Sequence, residues 1–268
     1  MLGATYELDA YNTASESENR IHDDSVAKRF GFHGGLVPGV DVYAYMSRAG
    51  LIAYGPAFLE GGCMSARFGK PVYDGEHVEI VSAPTPEGRV SIAVSGPGGQ
   101  AATGEAWMPS PPPAVPHPSS YAVASMPDLA DRPKADGVSL AEGTVLGTIR
   151  EEVTPELHAA YLADVREAHS YYVENGVVHP GYLLRRANMA LKDNVLLGPW
   201  IHVGSTVQHH SVLKVGDSLE TRSVVTDCYD HKGHGFVEMD VLVLASSGRP
   251  VARIAHVAIY EPRQVREG

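Results

Sequence analysis

The chain is poor in cysteine and in basic residues. Its two cysteines, Cys63 and Cys228, stand far apart and form no CxxC pair or other metal-ligand spacing. We therefore expect two lone buried thiols, with a disulfide between them as the alternative. Lys and Arg number 21 against 32 Asp and Glu, for a formal net charge of −11. Because phosphate backbones are bound by clustered Lys and Arg, this balance argues against nucleic acid as a main partner.

Long apolar runs are also missing. No stretch approaches the roughly 18 apolar residues that a membrane span needs. The N-terminal residues MLGATYELDAYN lack a basic region followed by an apolar run, which is the pattern of a secretory signal. We expect a soluble, cytoplasmic protein with no membrane partner. With 268 residues and 44% apolar content, the chain can form one large domain or two of ordinary size.

The two halves of the chain share one order of predicted elements. In each half a Pro-Gly pair, Pro38-Gly39 or Pro180-Gly181, begins a long helix whose apolar residues recur at helical spacing. Strand-like alternation with short turns then follows over residues 65–68, 77–82, 89–95 and 100–107, and over 201–212, 218–228, 235–245 and 250–260. Consecutive strands with short turns predict antiparallel sheets. A repeat of roughly 130 residues is too long for a solenoid and indicates duplicated domains.

A proline-dense stretch separates these halves. Residues 109–141 begin with PSPPPAVPHPSS, which cannot continue a central strand because proline offers no N–H to a neighbour. We interpret this stretch as a surface linker. The predicted units are therefore residues 1–108 and 142–268.

An acid and an imidazole stand close together before the second long helix. Asp164 and His169 are five positions apart, and His179 takes the cap position ahead of Pro180 and Gly181. The free N–H groups at a helix start favour a developing negative charge such as an enolate oxygen. The pattern predicts an acid/base pair facing an anion-binding helix end. In a protein with 13 histidines, a chance surface pair is the alternative.

This arrangement resembles double hot-dog proteins of the MaoC-like, (R)-specific enoyl-CoA hydratase family. That family carries an Asp-x-Asn-Pro-(Ile/Leu)-His run, whose Asp and His are the catalytic pair, and a His-Gly at the start of the hot-dog helix. The run DVREAH keeps Asp164 and His169 at the family spacing, whereas Arg166 and Glu167 replace the Asn and Pro. The resemblance covers nearly the whole chain outside the linker as an order of elements.

The first half keeps a different part of the motif. In the run SENRIH, Asn19 and His22 are retained, but Ser17 stands where the family has its acid. We expect Asn19 and His22 to bind substrate at a second site, with a loop-capping pair as the alternative. At both helix starts proline replaces the family's histidine. Only Gly39 and Gly181 therefore carry over as oxyanion donors, and close helix–sheet packing is their alternative role.

The resemblance implies an α+β double hot-dog fold and acid/base chemistry on acyl thioesters without a cofactor. We predict a hydratase or dehydratase that adds water in syn fashion to a 2-enoyl thioester, with Asp164 and His169 as the acid/base pair and Gly181 as oxyanion donor. The predicted partner is an acyl-CoA or acyl-carrier-protein thioester, and a homodimer remains open. A thioesterase and a non-catalytic acyl-binding subunit are the alternatives, because fold does not fix function.

Further residues are predicted to contact the substrate. They are Asn19, His22, Gly39, Tyr172, His179 and Arg185. Arg185 belongs to a local basic patch that suits a phosphorylated carrier, and Tyr172 lines an acyl pocket or, alternatively, packs in the core. We predict no metal site, because the adjacent His209 and His210 point to opposite faces of a strand and cannot share one ion.

Overall fold

One antiparallel sheet of ten strands runs through both halves of the protein in the computed structural model, which describes residues 2–14, 28 and 32–266. The first half contributes β1 (Ala4–Asp9), β2 (Cys63–Phe68), β3 (His77–Pro84), β4 (Val90–Gly96) and β5 (Gly99–Trp107). The second contributes β6 (Val145–Glu152), β7 (Ile201–His209), β8 (Ser218–His231), β9 (His234–Ala245) and β10 (Arg249–Glu261).

The strand order shows the duplication directly. From edge to edge the sheet reads β1-β3-β4-β5-β2-β7-β10-β9-β8-β6, so each half has the same internal order and the two halves meet where β2 pairs with β7. Within a half, the first strand lies at the outer edge and the second at the junction. The repeat seen in the sequence is therefore a repeat of topology.

Two long helices pack against this sheet and against each other. The helices are α1 (Gly39–Tyr54), α2 (Ala57–Gly61), α3 (Pro155–Asp164), α4 (Tyr171–Asn175), α5 (Pro180–Lys192) and α6 (Arg263–Arg266). The two long ones, α1 and α5, contact each other; α1 also contacts strands of the first half and β7, and α5 contacts strands of the second half. Their backbones approach closely, because a Cβ added at Gly181 would lie 3.1 Å from the Cα of Ala44. No helix in the described part of the chain has the length and apolarity of a membrane span.

Buried and exposed side chains alternate along the strands, because one face of the sheet packs against the helices. In β3, Val78 and Ile80 are fully buried while Glu79 between them is exposed. In α1, Met46 and Ala49 are fully buried, and the helix stops at Gly55, whose φ of +66° favours glycine. Apolar burial at period 2 and period 3.6 thus builds one continuous core between the sheet and the helix pair.

The predicted elements are confirmed with small shifts at their ends. β7 ends at His209 rather than near 212, and the short helices α2, α4 and α6 were not predicted. The proline-rich stretch contains only two short 3-10 turns, and it docks on the second half. Tyr121 donates its hydroxyl to Asp240 at 2.8 Å, and the amide of Thr148 on β6 donates to the carbonyl of Ala124 at 3.0 Å. The domain limits at 108 and 142 stay a prediction.

Candidate active site

A cavity of about 250 Å³ lies at the N-terminal end of α1. Most of its described wall is apolar, with Leu36, Val37, Val42, Phe68, Val72, Trp200 and Ile201. Its polar side chains are Lys70, Asn188 and His202. Both halves contribute, since Lys70 follows β2 whereas Asn188 lies on α5 and His202 on β7. Residues from both duplicated halves therefore form the wall of the cavity.

The first two amides of α1 have no hydrogen-bond partner among the described residues, and Gly39, which carries the first, lines the cavity. Pro38 precedes the helix and offers no side-chain cap, and the N–H groups of Gly39 and Val40 donate to none of the described residues. The next amides, of Asp41 and Val42, donate to the carbonyl of Pro38. A helix of 16 residues carries partial positive charge at this end. The helix start can therefore stabilise an oxyanion.

His202 lies beside the same helix start. A Cβ added at Gly39 would stand 2.9 Å from Nδ1 of His202, so the glycine leaves room for the ring. His202 is 6% exposed, and its Nδ1 has no hydrogen-bond partner in the described chain. Burial lowers the pKa of His202 well below its ordinary value, and the nearby ring of His256 lowers it further. A neutral imidazole, whose Nδ1 has no partner in the described chain, thus stands next to Gly39, the first residue of α1.

A hydroxyl links His202 to a second buried histidine. Ser205 Oγ lies 2.8 Å from Nε2 of His202 and 2.9 Å from Nδ1 of His256, and the two rings stack with centroids 4.4 Å apart. In a regular strand, residues three apart point to opposite faces. The pairing of β7 with β10 shifts register so that Val203 is an extra residue, which allows His202 and Ser205 to meet on one face.

The start of α5 is arranged differently. Nδ1 of His179 accepts the Gly181 amide at 3.1 Å, so its Nε2 carries the proton and faces Oε2 of Glu167 at 3.2 Å. The other oxygen of Glu167 pairs with Nε of Arg48, from the first half, at 2.8 Å. The side chains of His179 and Glu167 are 0% and 2% exposed. The amide predicted as an oxyanion donor is therefore engaged by the histidine before it.

The electrostatics of this cluster follow from burial and from Arg48. Burial lowers the pKa of His179, although the hydrogen bond with Glu167 opposes the shift. Burial alone would raise the pKa of Glu167, but its bonds to His179 and the charge of Arg48 hold that pKa below the ordinary value. The cluster is thus a carboxylate and a guanidinium bridged to a neutral imidazole.

The predicted acid and imidazole take separate partners. Asp164 ends α3, 38% exposed, with its carboxylate 3.7 Å from the guanidinium of Arg185. Nδ1 of His169 accepts the amide of Tyr171 at 3.2 Å, and its own amide donates to Glu167. Within the described chain no hydrogen bond or ion pair joins Asp164 to His169. Their catalytic role, and that of Gly181, stays a prediction.

The other predicted residues divide between the two helix starts. Gly39 lines the cavity, whereas Tyr172 is fully buried and packs its ring 4.6 Å from that of His179. Arg185 pairs with Asp41 at 2.8 Å and lies over the ring of Tyr161, so internal groups already engage its charge.

Asn19 and His22 lie outside the described residues. Among the residues described, no group of three or more His, Cys, Asp or Glu side chains converges as a metal site would.

Solved structures share this architecture at low sequence identity. A conserved hypothetical protein from Mycobacterium tuberculosis with a double hot-dog fold matches over 97% of this chain and 96% of its own, with a TM-score of 0.60 and 16% identity. The chain has the double hot-dog fold. A protein described as a MaoC domain dehydratase, from Chloroflexus aurantiacus, matches this double hot-dog over 98% of the chain and 96% of its own, with a TM-score of 0.60 and 11% identity.

A second kind of structural neighbour is described as an oleoyl thioesterase, from Lactobacillus plantarum. It matches over 97% of this chain and 96% of its own, with a TM-score of 0.51 and 11% identity. No family model and no curated protein sequence matches the chain. The predicted α+β double hot-dog fold, and its likeness to MaoC-like proteins, is confirmed as a structural relationship.

Sequence reasoning missed two polar residues that line the cavity, Asn188 and His202, and the two residues linked to His202, Ser205 and His256. Asn188, His202, Ser205 and His256 belong to no motif of the chain. One signal was present, because His256 occupies a buried position of β10, whose other buried residues carry apolar or aromatic side chains. A buried histidine on the inner face of a strand is a reason to look for its partner.

Proposed function

We propose that this protein binds acyl thioesters in the cavity at the start of α1 and catalyses the reversible addition of water to their 2,3 double bond. The observation that carries the proposal is that, within the described residues, the amides of Gly39 and Val40 and the Nδ1 of His202, which lies beside Gly39, have no hydrogen-bond partner. These groups match what hydration needs, which is an oxyanion site and one acid/base. The likeness to a MaoC domain dehydratase supports a thioester as the substrate.

In the proposed reaction the carbonyl oxygen of the thioester accepts the amides of Gly39 and Val40. Nδ1 of His202 takes a proton from water while the water oxygen bonds to C3, and the π electrons move to the carbonyl oxygen as an enolate. The proton on Nδ1 then passes to C2 on the same face, which restores the neutral imidazole and gives syn addition. Each oxyanion donor is worth about 3 kcal/mol in such reactions.

The cavity limits the acyl group. At about 250 Å³ it lies below the range of most drug-sized ligand pockets, so we expect a short acyl chain among its apolar side chains. Asn188 presents a buried Oδ1 that has no partner in the described chain and can accept an N–H of the thioester arm. Lys70 is the charged side chain of the described wall and is exposed, where it can meet an anionic carrier.

A short enoyl-CoA supplied to the purified protein tests this function. Loss of enoyl absorbance without thiol release is the expected result. Thiol release instead would identify a thioesterase, and neither change, combined with protection in a melting assay, would identify a non-catalytic acyl-binding subunit. Thiol release, or protection without reaction, would each contradict the hydratase proposal.

Substitutions at the two helix starts locate the reaction. We expect His202→Asn to lower kcat by about 10²-fold, because general acid/base catalysis contributes at least that much. Asp164→Asn and His169→Asn test the pair that the sequence predicted, at the other helix. If those two variants lose activity while His202→Asn keeps it, the reaction belongs to the start of α5. Circular dichroism and melting of each variant control for folding.

A further inference from the structure

We propose that Ser205 and His256 are positioning residues that fix the tautomer of His202, so that its Nδ1 is a proton acceptor at the start of α1. The inference deepens the proposed function and rests on it for its catalytic consequence. Its structural half, the tautomer itself, can be measured without any substrate.

The geometry couples the two rings through one hydrogen. Ser205 Oγ lies within 2.9 Å of one nitrogen of each ring, and its hydroxyl has a single hydrogen. Because Oγ has no further hydrogen-bond partner in the described chain, it donates to one ring and accepts from the other. Either His202 Nε2–H donates to Ser205 and Ser205 donates to His256 Nδ1, or both bonds run the opposite way.

These two arrangements give Nδ1 of His202 opposite roles. In the first, Nδ1 carries a lone pair, and in the second it carries a hydrogen. Nδ1 lies beside Gly39, whose amide and that of Val40 form the positive end of α1. A third N–H at this place would set like partial charges against each other, whereas a lone pair is attracted. The helix therefore favours the first arrangement.

Burial keeps the linked groups neutral and in place. His256 is 1% exposed and Ser205 is 6% exposed, and the two residues stand directly opposite each other on β10 and β7. Burial lowers the pKa of His256 to about 3, so this ring stays neutral near physiological pH. Since neither ring carries a net charge, hydrogen bonding decides which nitrogen of each ring holds the proton.

Substitution of His256 by phenylalanine is the sharpest test. The phenyl ring can still stack on His202 but accepts no hydrogen bond, so Ser205 becomes free to donate to Nε2 of His202. The expected result is a switch of His202 to the Nδ1–H tautomer. Ser205→Ala removes the link and should raise the share of that tautomer, whereas Ser205→Thr keeps a hydroxyl and should restore the wild-type state.

The measurement is ¹⁵N NMR of full-length protein with labelled histidine, with the His202 signals assigned by their loss in His202→Asn. We expect protonated Nε2 and bare Nδ1 in the wild type and in Ser205→Thr. With the enoyl-CoA substrate, His256→Phe and Ser205→Ala should lower kcat by about 10²-fold, while KM stays within about two-fold. A purely structural role would not move the tautomer.

The outcomes separate this inference from the proposed function. If the tautomers respond as expected but no variant changes the fate of an enoyl thioester, the hydratase proposal fails and the tautomer assignment stands. If His202 carries its proton on Nδ1 in the wild type, or keeps one tautomer in both His256→Phe and Ser205→Ala, the inference is overturned. Melting curves show whether each variant is folded before its spectrum is compared.

Discussion

Substitution of Gly181 by alanine tests the contact between the two long helices. A Cβ at this position would lie 2.5 Å from the Cβ of Ala44 and 2.3 Å from the hydroxyl of Tyr161. Ordinary contacts begin near 3.4 Å, so α1 and α5 must separate by about 0.9 Å and the hydroxyl of Tyr161 must move by about 1.1 Å. Tyr161 is 3% exposed and held between the rings of His179 and Tyr182, which leaves it little room.

The change in unfolding free energy of Gly181→Ala is the sum of an overpacking cost and a gain in helix propensity. Overpacking a rigid contact costs about 1–3 kcal/mol. Gly181→Ala overpacks two contacts, with Ala44 of α1 and with Tyr161 of α3, so we expect overpacking to lower the unfolding free energy by about 3 kcal/mol. Alanine is a better helix former than glycine by up to about 1 kcal/mol. The net loss of unfolding free energy should be about 2 kcal/mol. For a chain of this length that corresponds to a fall in Tm of about 4–8 °C.

Thermal and urea denaturation followed by circular dichroism measure this loss. The matched control is Gly198→Ala, because a Cβ at Gly198 meets nothing within 4 Å. We expect the control to stay within about 0.5 kcal/mol of the wild type. A Gly181→Ala protein as stable as the control would show that α1 and α5 do not approach as closely as described.

Three further predictions concern single side chains. Glu167→Gln should destabilise the fold by about 3 kcal/mol in urea, because it leaves Arg48 without its buried partner. Since the folded pKa of Glu167 lies below its unfolded value of 4.5, its stabilisation is full above that pH and fades on acidification, so the variant should lose stability less steeply in acid. Gly39→Ala should lower kcat about ten-fold, because the added methyl displaces His202 from the helix start, and should also lower Tm, because His202 is buried. Burial raises the pKa of Cys63 to about 12, so mass spectrometry should find this thiol unmodified after alkylation of the native protein near pH 8.

The two helix starts show how duplicated units come to differ. At α1 proline follows a valine, no side chain caps the helix, and two amides stay unpaired beside a cavity. At α5 the equivalent position is His179, whose ring accepts the amide of Gly181 and binds Glu167. One difference at the residue before the Pro-Gly pair, Val37 against His179, thus accompanies a helix start without a side-chain cap in one half and a buried polar cluster in the other.

The architecture could be predicted from the sequence by itself. Pro-Gly helix starts, apolar residues at period 3.6, and alternation between short turns are local signals that each segment carries alone. The same signals repeat in both halves, and the strand order confirms that repeat. Local patterns decide such elements because the period of burial is a property of the helix or strand itself.

The site was decided by tertiary structure. His202 and Ser205 are three apart on β7, a spacing that puts side chains on opposite faces, and only the register shift against β10 brings them together with His256. Asp164 and His169 had the right spacing, yet Asp164 faces Arg185 and His169 lies in a local turn. Sequence spacing fixes which groups are near along the chain. Which of them meet depends on pairing between strands and on contacts between halves, and no local pattern records either.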